Sequence, residues 1–172
     1  AKAVNFGIVY GIGAFSLSKD IHSTRAEAES FINSYLALYS SVDSFMKNCI
    51  ESAKQLGYAQ TLFNRRRYLP ELNASNHAVR SFGERVARNM PIQGTAADII
   101  KIAMIKVSRR LKSELPEARL IMQVHDELIV EAPLEEADKA LQIVTEEMEN
   151  ACKFSVKLLA DGKIGKTWYE AH

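Results

Sequence analysis

The triplet His125-Asp126-Glu127 lies between two runs of β-forming apolar residues, Leu120, Ile121 and Val124 before it and Leu128, Ile129 and Val130 after it. That pattern predicts a β-hairpin with acids at its tip. Tight hairpin turns favour Asn-Gly or Asp-Gly because their central residues need positive φ, so this tip breaks a local rule at some cost. Departures of that kind concentrate at functional sites. Two adjacent carboxylates repel each other, and a divalent cation would offset their charge. From these residues alone an ordinary surface hairpin with a charged tip is the alternative.

Lys2, Phe6 and Tyr10 form a second constellation. On a helix each step of four residues drifts by only about 40°, so the three share one face. A cation beside a flat ring suits a nucleoside triphosphate, with ammonium to phosphate and ring to base. Core packing is the commoner use of Phe and Tyr at this spacing. Gly7, Gly11 and Gly13 are not followed by Gly-Lys-Ser/Thr, which excludes a phosphate loop. Arg85 and Asn89 share a face of a predicted helix, and Gln93 follows just past Pro91. Arginine can grip phosphate bidentately, while Asn and Gln can donate to the minor-groove acceptors N3 and O2. A solvated polar face is the alternative for these three.

The elements that must carry these residues follow from periodicity and punctuation. After the first helix, Thr24-x-x-Glu27 is a capping box opening a helix to about Tyr39, and another runs from about Val42 to Gln55 with Gly57 as its stop. Phe31, Tyr35 and Leu38, then Phe45, Ile50 and Ala53, are the expected apolar stripes. Tyr58 to Phe63 reads as a strand that turns at Asn64 into Arg66 to Leu69. Past Pro70 two helices are expected, His77 to Asn89 and Ala96 to Lys112. They are broken at Pro91, and the second is capped by Thr95 and buried through Ile99, Ile100, Ala103, Met104 and Val107. The hairpin spans Arg119 to Glu131. A helix from about Leu134 to Ala151 and a strand from Val156 to Leu159 complete an α+β fold. The one boundary expected lies near Gly57, between a helical part, 1–57, and a mixed part, 58–172.

At 172 residues, 47% hydrophobic and 25% charged, the chain can form one or two units with a real core. No apolar run approaches about 18 residues, so neither a membrane span nor a signal peptide is expected. Cys49 and Cys152 lie far apart and outside any metal-binding spacing; reduced core thiols of a cytoplasmic protein are expected. The net charge of +1 conceals a polarity. Lys54 to Lys112 holds twelve Lys/Arg and three Asp/Glu, whereas Glu114 to Glu149 holds eleven Asp/Glu and two Lys/Arg. The basic stretch is the expected phosphate-backbone footprint, although charge runs are more often solvated faces. The chain begins without methionine, inside a helix motif, and is expected to be a fragment or a processed piece.

Four blocks in order, Lys2-x3-Phe6-x3-Tyr10-Gly11, Thr61-Leu62-Phe63-Asn64-Arg65-Arg66-Arg67-Tyr68-Leu69-Pro70, Asn89-Met90-Pro91-Ile92-Gln93-Gly94-Thr95-Ala96-Ala97-Asp98 and Gln123-Val124-His125-Asp126-Glu127, resemble family A DNA polymerases of the bacterial polymerase I type. The likeness runs from Ala1 to His172. It implies part of a right-hand polymerase, with a helical fingers portion at 1–57 and a palm portion of antiparallel β-hairpin and packed helices at 58–172. It implies a catalytic set of Asp126, Glu127 and Lys2, in which Asp126 is one of two aspartates holding two Mg²⁺ ions and Glu127 is an auxiliary acid at the metals. Lys2 would meet the triphosphate, Phe6 the base and sugar, and Tyr10 the template base. Arg85, Asn89 and Gln93 would line the DNA track, with His125 at the primer end.

The partners implied are primer-template DNA, deoxynucleoside triphosphates and an upstream polymerase segment, in a cytoplasmic, nucleoid-associated protein. In the family the second aspartate and an arginine of the triphosphate grip precede the residues matched here, and the thumb is also outside them. Ala160-Asp161-Gly162-Lys163-Ile164-Gly165 departs from the family's run of β-branched residues and glycine. The expected activity is 5′-3′ addition of deoxynucleotides to a primer 3′ hydroxyl by two-metal nucleotidyl transfer, with the 172 residues inactive by themselves. A non-catalytic primer-template DNA-binding fragment is the alternative from another class. A hydrolase using Asp126 and Glu127 as acid and base is disfavoured, because adjacent strand residues point to opposite faces. The His-Glu-x-x-His zinc spacing is absent as well.

Overall fold

A computed structural model describes Asn5, Gly7, Ile8 and residues 10–171. The chain divides into two compact units, Ala1–Thr95 and Ala96–His172. In the first, Asn5, Gly7 and Ile8 are helical and the chain turns at Tyr10 and Gly11. Helices α1 (Ala14–Asp20), α2 (Arg25–Leu38) and α3 (Ser40–Leu56) follow. Both halves of the capping box form at the head of α2: the Glu27 N–H donates to Thr24 Oγ1 at 3.2 Å, and the Thr24 N–H to the Glu27 carboxylate at 2.9 Å. That backbone bond, with help from the Thr24 hydroxyl, holds the Glu27 carboxyl below its ordinary range. Helix α3 ends at Gly57 (φ 78°), whose N–H donates to the Ala53 carbonyl at 2.9 Å.

The apolar stripes agree with expectation only in part: Ile50 and Ala53 pack inward and Tyr35 is half-buried. Phe31, Leu38 and Phe45 are 46%, 76% and 46% exposed. The packed faces are Ala28, Ile32 and Leu36 on α2, and Met46, Ile50 and Ala53 on α3. Neighbouring stripes on one helix share the same spacing, so periodicity predicts a helix without fixing which stripe is turned inward.

Strands β1 (Tyr58–Gln60) and β2 (Arg66–Tyr68) pair antiparallel. Thr61 builds the loop between them, its hydroxyl accepting the N–H groups of Phe63 and Arg65 at 3.2 Å each, while Asn64 takes φ 63°. A 3₁₀ turn (Pro70–Asn73) leads to α4 (His77–Asn89), whose first turn is capped by the Asn76 side chain accepting from the N–H of Ala78 and Val79. Ala53, Ala59, Leu69, Leu72 and Ala87 form the small core here, with Ile50, Val86 and Met90 against it.

Pro91 does not break the helical path. A π turn (Met90–Gly94) carries α4 into α5 (Thr95–Glu114). Proline has no N–H for an α-helical bond and its ring crowds the preceding turn; a wider turn accommodates both. Thr95 therefore has helical dihedrals (φ −66°, ψ −42°) instead of capping a helix, and its buried hydroxyl accepts the Leu62 N–H at 3.0 Å.

The second unit holds the rest of α5, strands β3 (Arg119–Val124) and β4 (Glu127–Glu131), a 3₁₀ turn (Leu134–Glu136), α6 (Ala137–Glu149) and the short α7 (Trp168–Ala171). Its core is Val107, Leu111, Leu115, Ala118, Ala140 and Ile143, against which Leu120, Leu128 and Val130 of the hairpin pack. Ala103 is also buried, whereas Ile99, Ile100 and Met104 are only half-buried. Arg110 ties α5 to α6, donating from Nε to Glu114 at 2.6 Å and from Nη1 to Glu146 at 2.6 Å and Glu147 at 3.2 Å. These bonds hold the Glu114 and Glu146 carboxyls below their ordinary range.

The strand expected at Val156 to Leu159 does not form. Residues 152–167 are irregular, and Val156 and Leu159 are 76% and 77% exposed. A β-prone run becomes a strand only against a partner edge, and β3 and β4 are the only strands of this sheet among the described residues. Cys49 and Cys152 are free thiols, half-buried instead of in the core, and burial raises both above the ordinary range. The chain is thus α+β, mostly helical with two small antiparallel sheets. The fingers and palm division expected at Gly57 is a functional one, distinct from compactness, and stays a proposal.

Candidate functional site

The acidic tip is a two-residue turn, His125-Asp126, closing β3 on β4 with Val124 opposite Glu127. His125 has φ 51°, and Asp126 is not in the left-handed region. Positive φ at the first central residue alone is the pattern of a type II′ turn, a position that favours glycine. A strained turn is present as expected, but the strain falls on His125 and not on the two acids, since Asp126 is outside the left-handed region and Glu127 already belongs to β4. The Gln123 side-chain amide donates to the His125 carbonyl at 2.6 Å and closes the tip. Lower down, the register shifts between Leu120 and Met122, a bulge at Ile121. Opposed residues share a face, so Met122, Val124, Glu127 and Ile129 lie on the side away from Leu120, Leu128 and Val130, which pack on the core.

Asp126 and His125 are exposed, and Glu127 is half-buried at the head of β4. No hydrogen bond or ion pair engages the Asp126 carboxylate among the described residues. The donor chemistry fits a hard divalent cation, which takes carboxylate oxygens. Two carboxylates are fewer than such an ion coordinates, and among the described residues no group of three His, Cys, Asp or Glu converges to hold one.

In the first unit the structure brings Tyr10 and Gln93 together: the Gln93 amide donates to the Tyr10 hydroxyl. Arg85, one turn before Asn89 on α4, is exposed, donates to Ser81 Oγ at 3.2 Å, and lies 6.0 Å from the Phe82 ring centre. Asn89 is half-buried, with its Oδ1 buried and unpaired. An unpaired buried acceptor costs about 1–3 kcal/mol. Lys2 and Phe6 lie outside the described residues.

Arg88 was not among the residues expected here. Burial, only partly offset by Glu84, pushes its guanidinium below the ordinary range, and it packs against Gly11, next to Tyr10. The available signal was a charge inside Val86-Ala87-Arg88-Asn89-Met90, where Val86, Ala87 and Met90 face the core.

Residues 1–170 match the profile of DNA polymerase family A. The chain belongs to this family. It is 53% identical over 171 residues to DNA polymerase I of Geobacillus stearothermophilus, an alignment covering 99% of this chain and 20% of that protein. It is 52% identical to DNA polymerase I of Bacillus subtilis (strain 168), covering 99% and 19%. The fold matches the POL domain of Pol1 from M. smegmatis, solved in complex with DNA primer-template and dNTP, with a TM-score of 0.91 and 39% identity over 97% of this chain and 30% of that one. The chain thus spans about a fifth of the length of these curated family A relatives. No helix among its described residues is long and apolar enough to cross a membrane.

Proposed function

We propose that the chain carries fingers (1–57) and palm (58–172) residues of a DNA-directed DNA polymerase that extends a primer 3′ hydroxyl with deoxynucleotides. The observation carrying this reading is the match, over 97% of the chain, to a domain whose complex contains primer-template and dNTP. Family A polymerases use divalent metals, and Asp126 and Glu127 are the residues that would hold Mg²⁺, with a further carboxylate supplied upstream. The metal supplies charge stabilisation at the attacking and leaving oxygens.

The other proposed roles belong to the chain's own side chains. Lys2 would set a point charge against the triphosphate, and Phe6 would offer a flat ring to base and sugar. Tyr10 would stand beside the templating base. Arg85 would hold backbone phosphate, and His125 would meet the primer end. Asn89 and Gln93 would donate to minor-groove acceptors common to all correct pairs, which checks pair shape without reading sequence. Closure of the N-terminal helix would exclude water.

A second reading, a DNA-binding fragment without catalysis, draws on the lack of a three-ligand metal cluster among the described residues. A labelled primer-template incubated with the complete protein, Mg²⁺ and dNTPs separates the two. Metal-dependent extension by the complete protein, with binding but no extension by residues 1–172 alone, is the expected result. Extension by residues 1–172 alone would show that the metal site is complete within them. Binding without extension by the complete protein would favour the second reading.

A further inference from the structure

Two residues of one continuous helical stretch hold the turn at Tyr10 and Gly11. Gln93, in the π turn, donates to the Tyr10 hydroxyl, and Arg88, five residues earlier on α4, packs on Gly11. Gly11 has φ +80°, and a Cβ built on it would lie 2.7 Å from Cζ and Nη2 of Arg88 and 2.9 Å from Nη1. Three near-equal distances to Cζ and both Nη atoms place the face of the guanidinium over the position that a Cβ of residue 11 would take. The cation fills the volume that a side chain at position 11 would need.

The contact borders a recess of about 170 Å³ whose lining is mostly apolar, including Ile8, Ile12 and Met46, with the charged Asp43 and Lys47 beside Arg88. Taking a guanidinium out of water into such a wall costs free energy. Among the described residues its hydrogen bond in return, from Nε to the Glu84 carbonyl, is long at 3.4 Å, and the Glu84 charge offsets the burial only in part. An aliphatic side chain would fill the space without that cost, so packing alone does not account for an arginine here. What only the planar group supplies is a rigid face for a backbone that has no side chain of its own.

We propose that Arg88 is a positioning residue, whose guanidinium face fixes the left-handed turn at Gly11 and so aims Tyr10 at Gln93, presetting the template side of the nucleotide site. The inference rests on the role proposed for Tyr10. Contact with DNA or nucleotide forms no part of it; Arg88 acts through Gly11.

The test uses the complete polymerase with Arg88→Met, Arg88→Lys, Gly11→Ala, the Gly11→Ala/Arg88→Met double variant and Tyr10→Ala. Correct and mispaired incorporation is measured as KM and kcat. The fluorescence of 2-aminopurine at the templating position reports base stacking without chemistry. Arg88→Met should raise KM for the correct nucleotide about tenfold with kcat little changed, and should shift the fluorescence of the enzyme–DNA complex. Arg88→Lys, which keeps charge without the plane, should behave like Arg88→Met, and a lysine that restores wild-type values overturns the planar argument. Gly11→Ala should cost less in the Arg88→Met background than alone, because losing the guanidinium opens the space its methyl needs. Additive effects overturn the proposal. If Tyr10→Ala changes neither discrimination nor fluorescence, the role given to Tyr10 fails and takes the inference with it. If Tyr10→Ala changes both and Arg88→Met changes neither, the positioning role alone is wrong.

Discussion

The hairpin tip and the π turn are both stretches of unusual backbone, but they hold their polar side chains in opposite ways. At the tip, Leu120, Leu128 and Val130 anchor the strands on the core while the Asp126 carboxylate stands exposed, with no hydrogen bond or ion pair among the described residues. In the π turn the side chain is already engaged, Gln93 with Tyr10, and one turn before Asn89 Arg85 is engaged with Ser81. An unpaired acid on a rigid frame is suited to bind something charged at full strength. A bonded amide must give up one partner to gain another, so its contribution is a difference between two hydrogen bonds. Substitutions at the tip should therefore cost much more in function than substitutions in the π turn.

The largest effect expected is on turnover. In the complete polymerase, Asp126→Asn should lower incorporation by about a thousandfold or more, with primer-template affinity almost unchanged, because the charge matters in the transition state more than in DNA binding. Glu127→Gln should be milder. Steady-state incorporation beside a DNA titration measures both, and a fully active Asp126→Asn enzyme removes the tip from the site. Lys2→Ala should raise the nucleotide KM and slow transfer together, since its charge would meet the triphosphate before and during reaction.

The frame under the tip gives the next effect. Leu111 is 1% exposed at the centre of the second unit's core. Leu111→Ala should destabilise the protein by about 2–5 kcal/mol through lost burial and a residual cavity. Chemical denaturation reads the loss. An Asp126→Asn protein should keep wild-type stability in the same assay, which separates frame from chemistry. In the first unit, Thr95→Val should cost about 1–3 kcal/mol, because it keeps the shape but strips the acceptor from the Leu62 N–H. Wild-type stability of Thr95→Val would mean that this bond does not secure the π turn to the β1–β2 loop.

The tip was legible in the sequence because hairpin patterning is local: two runs of β-forming residues around a charged triplet without glycine specify a tight turn under strain, although the strain falls on His125 and not on the acids. The capping box at Thr24 and the stop at Gly57 were legible for the same reason. What failed needed a partner from elsewhere in the chain. Ala28 and Met46, not Phe31 and Phe45, face inward, and only packing decides the phase of an amphipathic helix. Val156 and Leu159 have the residue types of a strand but no edge to pair with. Pro91 read as a break because the π turn that absorbs it leaves no signature beyond the proline itself. Among site residues, Arg88 was missed because its contact to Gly11 spans 77 positions in sequence, and nothing near either residue announces the other.

The smallest effect belongs to Gln93. If its amide exchanges Tyr10 for a minor-groove acceptor, Gln93→Ala loses the DNA bond but also the need to break the old one, and the net cost in primer-template affinity should be about 1 kcal/mol, roughly fivefold. Tyr10→Phe sharpens the point. It removes the hydroxyl that holds Gln93 while keeping the ring, so the amide is released and affinity should hold or rise slightly. Fluorescence anisotropy with one labelled primer-template, at fixed salt because phosphate contacts dominate absolute affinity, reads both variants. A loss of affinity in Tyr10→Phe as large as that in Gln93→Ala would mean that the two side chains act together on DNA, and the contrast between the engaged Gln93 and the exposed Asp126 carboxylate would no longer explain which residues matter most.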